Sequence, residues 1–327
     1  MATAFVTGGT GFLGRRLVQK LVEQRWNVRA LHRSPADAER LRALGAEPIE
    51  GDLDRDPVLS RGMRDAEVVF HAAALFTNWA PRAEFERSNV VGTGNLLAAA
   101  QTAKVKRFVH VGASGAYMGD GKPMIGVTEE TPLAYPSWGP YIATKARAQE
   151  LVLRADRPDG MRTAVVLPSL IWGPRMPTLE GIVKDVSAGR FAWPNGGKQV
   201  MSTSHIDNVC HCTILAAERA PGARAYFVTD GEDHTFRKII TDLLSTRGVE
   251  PKGRDVPIGV AWGLSAVMEV VWRTLRLRSQ PPLTRQMVRM VGYDFTLSDQ
   301  RARAELGYSP VVSWDEGIRA MRTEQHA

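Results

Sequence analysis

Only two cysteines, Cys210 and Cys212, occur in 327 residues. Side chains two apart on a helix point in different directions, so a disulfide between them is not expected. His205, Cys210, His211 and Cys212 lie close in sequence, yet no second Cys/His group stands at zinc spacing, and no metal site is expected. So little cysteine suits a reducing compartment. No charged segment followed by an apolar stretch precedes the first apolar run, which argues against secretion and for a cytoplasmic protein. Long hydrophobic runs are missing too. The longest, 258–271, is interrupted by Gly259, Gly263 and Glu269 and is too short to span a bilayer. Internal repeats and low-complexity tracts are absent.

Acid is in the minority: 35 Asp and Glu against 42 Lys and Arg give a net charge of +7. Part of the excess collects in Arg273, Arg276, Arg278, Arg285 and Arg289. The plain reading is a solvated basic face; the sharper one is attraction to an anionic substrate or a membrane surface. No nucleic-acid partner is expected. Hydrophobic residues at 44% and charged residues at 24% are ordinary for a globular chain. The length allows one large domain or two modest ones with buried cores.

What is present starts almost at the first residue. After the apolar Ala4, Phe5 and Val6, residues 7–14 read Thr-Gly-Gly-Thr-Gly-Phe-Leu-Gly. An apolar strand, a glycine turn and a helix beginning near Phe12 is the arrangement that binds a dinucleotide pyrophosphate. Gly8 permits the turn, Gly11 lets the backbone approach the phosphates, and Gly14 lets the helix pack on the strand. The phosphates would sit at the helix N-terminus, where N–H groups and the dipole favour negative charge. Thr10, Phe12 and Leu13 complete this set of expected cofactor contacts.

Apolar runs alternate with amphipathic segments through the first half, which predicts a parallel sheet with crossover helices. Strands are expected at 3–7, 27–32, 46–50, 67–70, 106–111 and 162–167, and helices at 12–24, 36–44, 82–103 and 141–155. Leu96, Leu97 and Ala100 give the third of these helices a core-facing stripe. Pro168, Gly173, Pro174 and Pro177 then break the pattern. The expected fold class is α/β: a doubly wound parallel sheet with a smaller, mostly helical C-terminal substrate domain. We place the dinucleotide-binding domain at 1–174 and the substrate domain at 175–327. A strand–helix segment at 204–217 and a strand at 225–228 are expected to return to the main sheet. Later helices are expected at 235–247, 259–275, 283–291, 298–305 and 314–323.

Tyr141 and Lys145 are four apart on a predicted helix, so they share a face. A free phenol ionises near pH 10, and lowering that by roughly three units takes about 4 kcal/mol of preferential stabilisation of the phenolate. A lysine ammonium one turn away and an oxidised nicotinamide are suitable sources. Tyr141 would then exchange a proton with a substrate oxygen while hydride moves at the adjacent carbon. Cofactor choice turns on the end of the second strand. A carboxylate there accepts the ribose hydroxyls of NAD, whereas this chain has His32-Arg33-Ser34. A permanent planar cation suits a phosphate, so NADP(H) is expected, with Arg33 and Ser34 as its readers and NAD as the alternative.

Taken with Gly51-Asp52-Leu53, His71-Ala72-Ala73, Asn89-Val90-Val91-Gly92-Thr93, Ile171-Trp172-Gly173-Pro174, His205-Ile206-Asp207-Asn208-Val209 and Glu305-Leu306-Gly307-Tyr308, these motifs carry a resemblance over nearly the whole chain. The chain resembles an extended short-chain dehydrogenase/reductase of the NAD-dependent epimerase/dehydratase superfamily, and within it the 3β-hydroxysteroid dehydrogenase-like group. The resemblance implies that Asp52 accepts from the adenine amino group and that Leu53 packs on its ring. It also implies that Ala72, Ala73 and Ala74 line the cofactor trough, that Lys145 holds the nicotinamide ribose, and that Pro168 orients the nicotinamide. Asn89 and His71 are given structural roles, and Asp207 a turn. A homodimer through 82–103 and 141–155 is likewise implied. The chain departs from the pattern in two places. A Ser or Thr is expected after the fifth strand to hold the substrate oxygen, but a gapless reading puts Ala113 there and Ser114 one residue late. We assign the role to Ser114, reached through a local adjustment between Gly112 and Gly115. Leu167 stands where the group often has an arginine.

The segment 257–291 carries Trp262, Leu264, Val267, Met268, Val270 and Val271 among others. A helix apolar around most of its circumference is buried or meets something greasy. Packing inside the small domain is the plain account; a lid over a steroid-like, 3-oxoacid or polyketide-like substrate, with a peripheral membrane contact, is the functional one. The expected activity is interconversion of a secondary alcohol and a ketone on a hydrophobic substrate. The alternatives are a sugar-nucleotide epimerase with retained NAD and a catalytically silent cofactor-binding protein.

Overall fold

The computed structural model describes residues 2–54, 56–119, 121–277 and 279–324. Arg278, one of the five clustered arginines, lies outside the described residues. Strand β1 (Thr3–Thr7) turns at Gly8 into α1 (Phe12–Glu23). Then come β2 (Asn27–His32), α2 (Pro35–Ala43), β3 (Glu47–Glu50), α3 (Asp56–Gly62) and β4 (Val68–His71). Helix α4 (Arg82–Phe85) passes through a π-helical stretch (Glu86–Val91) into α5 (Gly92–Thr102). After β5 (Arg107–Val111) a 3-10 turn (Ser114–Tyr117) leads to β6 (Met124–Val127), α6 (Pro140–Arg154) and β7 (Arg162–Pro168).

The second half runs β8 (Leu170–Trp172), α7 (Pro177–Ser187), β9 (Ala192–Pro194), β10 (Val200–His205), α8 (Ile206–Arg219) and β11 (Arg224–Val228). It continues through β12 (Asp233–Thr235), α9 (Phe236–Ser245), β13 (Arg254–Val256), α10 (Ile258–Thr274), α11 (Arg285–Val291), β14 (Phe295–Leu297), a π-helical turn (Ala302–Leu306) and α12 (Trp314–Glu324).

Seven parallel strands form the main sheet in the order β3-β2-β1-β4-β5-β7-β11. Its central strands β1, β4, β5 and β7 are apolar at consecutive positions because both faces are covered, and the pleat divides the residues between two layers. Ala4, Val6, Val109, Ala164 and Val166 pack with Leu17, Val18 and Leu21 of α1 and with Val209 and Cys212 of α8. Phe5, Phe108, Val165 and Leu167 pack on the other face with Leu59 of α3, Leu96 of α5 and Ile142 and Ala146 of α6. Strand order reverses between β1 and β4, and the crevice beyond their C-terminal ends is where such sheets take ligands.

The returning segment splits in a way the sequence pattern does not reveal. Strand β11 joins the main sheet beside β7, and α8 covers one face. Strand β10 does not return: it pairs with β8, β12 and β14 in a second sheet that also recruits β6 from the first half. The reason lies in Asp230. Its buried carboxylate accepts from Trp172 Nε1 at 2.7 Å, Thr203 Oγ1 at 2.7 Å, the His205 backbone N–H at 2.5 Å and Asn208 Nδ2 at 2.8 Å. One charge thereby pins β8, β10 and the start of α8 beside the end of β11. A third core forms around Trp172, Trp193, Met201, Phe236 and Trp314. Helix α9 serves it with Phe236, Ile239, Ile240, Leu243 and Leu244 at helical spacing, capped by the Thr235 hydroxyl accepting from the Lys238 N–H.

Candidate active site

The glycine turn is built by contact rather than by choice. Gly8 has φ +73°, and a Cβ there would lie 2.6 Å from the Ala73 nitrogen; a Cβ on Gly14 would lie 2.0 Å from the Gly8 oxygen. Neither position admits another residue without moving backbone. The Gly11 N–H closes the turn on the Gly8 carbonyl at 3.0 Å, and no side chain caps the N-terminus of α1. The cradle between residues 8–12 and Ala72–Ala73 thus offers backbone N–H groups and no side-chain filler, which suits a pyrophosphate.

Ala72 and Ala73 are half-buried and Ala74 is exposed at the exit of β4. Ala72 and Ala73 are held to β1 by N–H bonds to the Thr7 carbonyl (3.2 Å) and hydroxyl (3.4 Å). His71 ends β4 inside the core, with Nδ1 2.7 Å from Thr7 Oγ1 and Nε2 2.9 Å from Thr93 Oγ1. The Thr93 hydroxyl spends its own proton on the Asn89 carbonyl, so it accepts from His71 Nε2–H, and Nδ1 accepts from Thr7. Asn89 ties the following loop down through Leu75 and reaches Thr144 on α6 at 3.2 Å.

Tyr141 and Lys145 occupy successive turns of α6, whose first position is Pro140. The Tyr141 ring is 7% exposed and packs edge-on against Phe76, 5.2 Å between centroids, and Phe85, 6.5 Å. Phe76 lies in the loop that leaves β4, so the Tyr141 ring sits beyond the C-terminal end of that strand. No sequence signal singled out Phe76 or Phe85. Lys145 is 2% exposed; its Nζ donates to the Val111 carbonyl at 2.8 Å and lies 3.3 Å from His110 Nε2. Contrary to the acidification expected from Lys145, burial pushes the Tyr141 phenol up from its ordinary value, and it brings the Lys145 ammonium down to about 7. Burial, and then the Lys145 charge, holds His71 down to about 3. His110 is driven well below its ordinary value by the same two causes.

Ser114 is buried and opens the 3-10 turn that packs against α6. The chain leaves the strand after Val111, so strand alternation no longer governs residues 113 and 114. Ala113 is extended and half-buried, and beside Ser114 a Cβ at Gly115 would meet no atom within 4 Å. Pro168 is buried at the end of β7, level with Val228.

Three candidates carry structural duties as well. The Asp52 carboxylate accepts from the Asp54 N–H at 3.0 Å in the turn before α3. Leu53 packs against Gly92, and its carbonyl accepts from Asn95 Nδ2 at 2.9 Å. Ser34 is the N-cap of α2: its hydroxyl accepts from the Asp37 N–H at 3.3 Å and donates to the Asp37 carboxylate at 2.8 Å. Arg33 is exposed at the end of β2. Asp207 does more than hold a turn, since its carboxylate takes Arg16 of α1 in a two-point pair, Nε–Oδ1 at 2.5 Å and Nη2–Oδ2 at 3.0 Å. This clamp fixes the dinucleotide-turn helix to α8.

Two expectations at the substrate end are corrected. Arg289 is fully buried, donating to the carbonyls of Gly119 and Lys122 at 3.2 Å each, so it belongs to no solvated face. The apolar helix is not packed inside the small domain: Val260, Leu264, Val267 and Val271 of α10 are exposed while Ala261, Ser265 and Glu269 are buried.

Residues 5–258 match the 3-beta hydroxysteroid dehydrogenase/isomerase family. The chain belongs to that family. It is an extended short-chain dehydrogenase/reductase, an oxidoreductase on a Rossmann scaffold. A farnesylated dihydroquinoline-oxide ketoreductase of Stigmatella aurantiaca, 4-hydroxy-2-methyl-3-oxo-4-farnesyl-3,4-dihydroquinoline-1-oxide ketoreductase, is 42% identical over 97% of this chain and 95% of its own. The 2-alkyl-3-oxoalkanoate reductase of Stenotrophomonas maltophilia is 32% identical over 98% and 99%. Among solved structures, UDP-glucuronic acid 4-epimerase from Bacillus cereus in complex with NAD superposes with a TM-score of 0.73 at 20% identity, covering 99% of this chain and 100% of that one. At that identity the likeness is one of fold.

Proposed function

We propose that this protein is an NADP(H)-dependent ketoreductase that interconverts a ketone and a secondary alcohol on a hydrophobic substrate. Support comes from Tyr141, a phenol one helical turn from the buried Lys145 and packed on Phe76 of the loop that leaves β4. The relatives' names, a farnesylated quinoline ketoreductase and a 2-alkyl-3-oxoalkanoate reductase, support both the reaction and a greasy substrate.

When bound, the dinucleotide supplies the hydride. Everything else falls to the chain. Residues 8–12 hold the pyrophosphate with backbone N–H groups, Ala72, Ala73 and Ala74 leave room along the trough, and Pro168 backs the nicotinamide. Asp52 and Leu53 take the adenine. Arg33 reads the ribose phosphate, while Ser34, occupied as a cap, contributes by fixing α2 beside it. Ser114 orients the substrate oxygen, and Tyr141 gives that oxygen a proton. Burial keeps the phenol protonated at neutral pH, which is the form that carbonyl reduction requires. Lys145 stabilises the phenolate left behind and holds the ribose hydroxyls. Pairing of 82–103 and 141–155 across a two-fold axis is part of the same reading.

NADPH oxidation with a panel of hydrophobic 3-oxo compounds tests it. The native protein should turn over at least one of them, and Tyr141→Phe should lose about 100-fold or more while still binding NADPH. A panel with no turnover, or a Tyr141→Phe protein as fast as the native one, overturns the reading. Tightly retained NAD with no net turnover would point to the epimerase instead.

A further inference from the structure

His71 and His110 are register partners on β4 and β5, with ring centroids 4.8 Å apart. Alternation along β5 puts His110 on the side of Phe108, the face that α6 covers. Lys145 reaches this pair from α6. Its Nζ lies 3.3 Å from His110 Nε2 and 2.8 Å from the Val111 oxygen, and all three side chains are buried. The two imidazoles are engaged differently. His71 uses both nitrogens, on Thr7 and Thr93. His110 has Lys145 on Nε2, while its Nδ1 makes no well-formed hydrogen bond among the described residues and feels only the His71 backbone. A buried nitrogen so poorly served is a cost that an apolar ring of similar size would not carry. Packing alone is thus served better by phenylalanine. What the imidazole adds is an acceptor for Nζ.

That acceptor is neutral, and the charged groups around it are engaged elsewhere. An ammonium only donates: one proton goes to Val111, another to His110, and the last is left over. His71 beside them is neutral, and the Tyr141 phenol one turn back is protonated. On α6 itself Arg147 pairs with Glu86 of the π-helical stretch, and Glu150 with Arg154. Helix α5 holds no ionisable group, and Tyr117 of the 3-10 turn accepts from Gln149. Arg82 and Glu84 of α4, and Arg87 after it, are exposed. Arg107 and Arg162 stand at the other ends of β5 and β7.

We propose that His110 is a positioning residue for the redox reaction: its Nε2 holds the Lys145 ammonium against the end of β5 and leaves one N–H for the Tyr141 phenolate or the ribose. A carboxylate in the same place would cancel the charge that the phenolate needs; a neutral ring directs it and leaves it whole. Because the bond is made to the charged form, it also opposes the burial that brings Lys145 down to about 7. The catalytic consequence rests on the proposed redox reading. The hold on Lys145 does not.

Carbon-13 spectra of the full-length protein labelled at lysine Cε, with Lys145→Met to assign the signal, test the hold without turnover. The native Lys145 midpoint should lie at about 7. His110→Phe should lower it by about one pH unit or more, the loss of one hydrogen bond to a charged group. His110→Gln brings an amide oxygen to the place of Nε2 and should restore the native midpoint. His110→Asn, one carbon shorter, should behave like His110→Phe, and this pair decides the matter if His110→Phe does not fold. Equal midpoints throughout overturn the proposal, as does an Asn variant that holds Lys145 as well as the Gln variant does. With a ketone that the native protein reduces, kcat/KM should fall as pH rises through each protein's own Lys145 midpoint. A profile that stays put while the midpoint moves removes His110 from the reaction. A native protein without turnover would remove the redox reading instead, and the spectra would still decide the hold on Lys145.

Discussion

The Lys145 ammonium donates to the Val111 carbonyl at 2.8 Å, at the point where β5 ends and the chain turns toward Ser114. One lysine thereby ties the helix that carries Tyr141 to the strand that precedes the turn at Ser114. Its other near neighbour, His110 Nε2 at 3.3 Å, is neutral and accepts. Neither partner carries negative charge, so burial is not compensated and the ammonium loses its proton near pH 7.

Stability should therefore rise with pH above neutrality. Between about 7 and the ordinary lysine value of 10.5 the unfolded chain holds a proton on Lys145 that the folded protein does not, so removing protons favours folding. The expected slope from this group is about 1.4 kcal/mol per pH unit. Denaturant melts of the native protein and Lys145→Met across this range check it. The difference in stability between the two proteins should change with pH by that amount, and a constant difference would refute the shifted lysine.

Arg33→Ala should weaken NADPH and leave NADH alone. A charge-assisted contact to a phosphate contributes about 1.5–3 kcal/mol, so the NADPH dissociation constant should rise about 10- to 100-fold. Because Arg33 is exposed, the variant should melt like the native protein. Fluorescence titration with both dinucleotides is the measurement. Equal losses for both, or none for either, would remove Arg33 from the role of phosphate reader.

Much of the main sheet was legible because β1, β4, β5, β7 and β11 are apolar runs, whereas the seven-residue α3 was too short to show a stripe. The glycine turn and the Tyr141–Lys145 pair were legible because their chemistry needs fixed spacing. The three-residue strands of the second half were not. β9, β12, β13 and β14 carry no run long enough to show a period, and their pairings join segments far apart in sequence. Asp230 and Arg289 were illegible for another reason: a charged side chain reads as surface, and only its buried partners reveal otherwise. The face of α10 was left open between packed and exposed, since composition alone cannot distinguish a helix packed inside from one turned out.

Asp207→Asn should loosen the helix that follows the glycine turn. Burial alone would raise the Asp207 carboxyl, but the hydrogen bond and charge of Arg16 hold it below the usual carboxylate range. Its stabilisation is present above the unfolded value near 3.9 and is lost as pH falls through the lower folded value. Two charge-assisted bonds in a part-buried setting predict a loss of about 1–3 kcal/mol at neutral pH. Dinucleotide affinity should fall with it if the N-terminus of α1 takes the pyrophosphate, as proposed. Thermal melts at pH 7 and pH 3 separate the cases: the gap between native and variant should shrink in acid.

His71 sets the opposite end of the pH range. Its tautomer is dictated by its neighbours. Nε2–H donates to Thr93, whose own proton goes to the Asn89 carbonyl, and Nδ1 accepts from Thr7 at 2.7 Å. A second proton on Nδ1 would require the Thr7 hydroxyl to turn away, inside a core that excludes water and beside the Lys145 charge. Burial first and Lys145 second thus bring the imidazole down to about 3. Between the unfolded value of 6.5 and about 3 the unfolded chain takes up a proton that the folded one refuses, so stability falls as acid is added. Over those 3.5 units a single group contributes a loss of about 5 kcal/mol. Nitrogen-15 spectra should show His71 neutral with the proton on Nε2 down to the acid transition, and His71→Asn should show a shallower loss of stability below pH 6.5. An imidazole that titrates near its ordinary value would mean that the Thr7–His71–Thr93 chain is open to solvent, and the Thr7 hydrogen bond that holds Ala73 against the glycine turn would open with it.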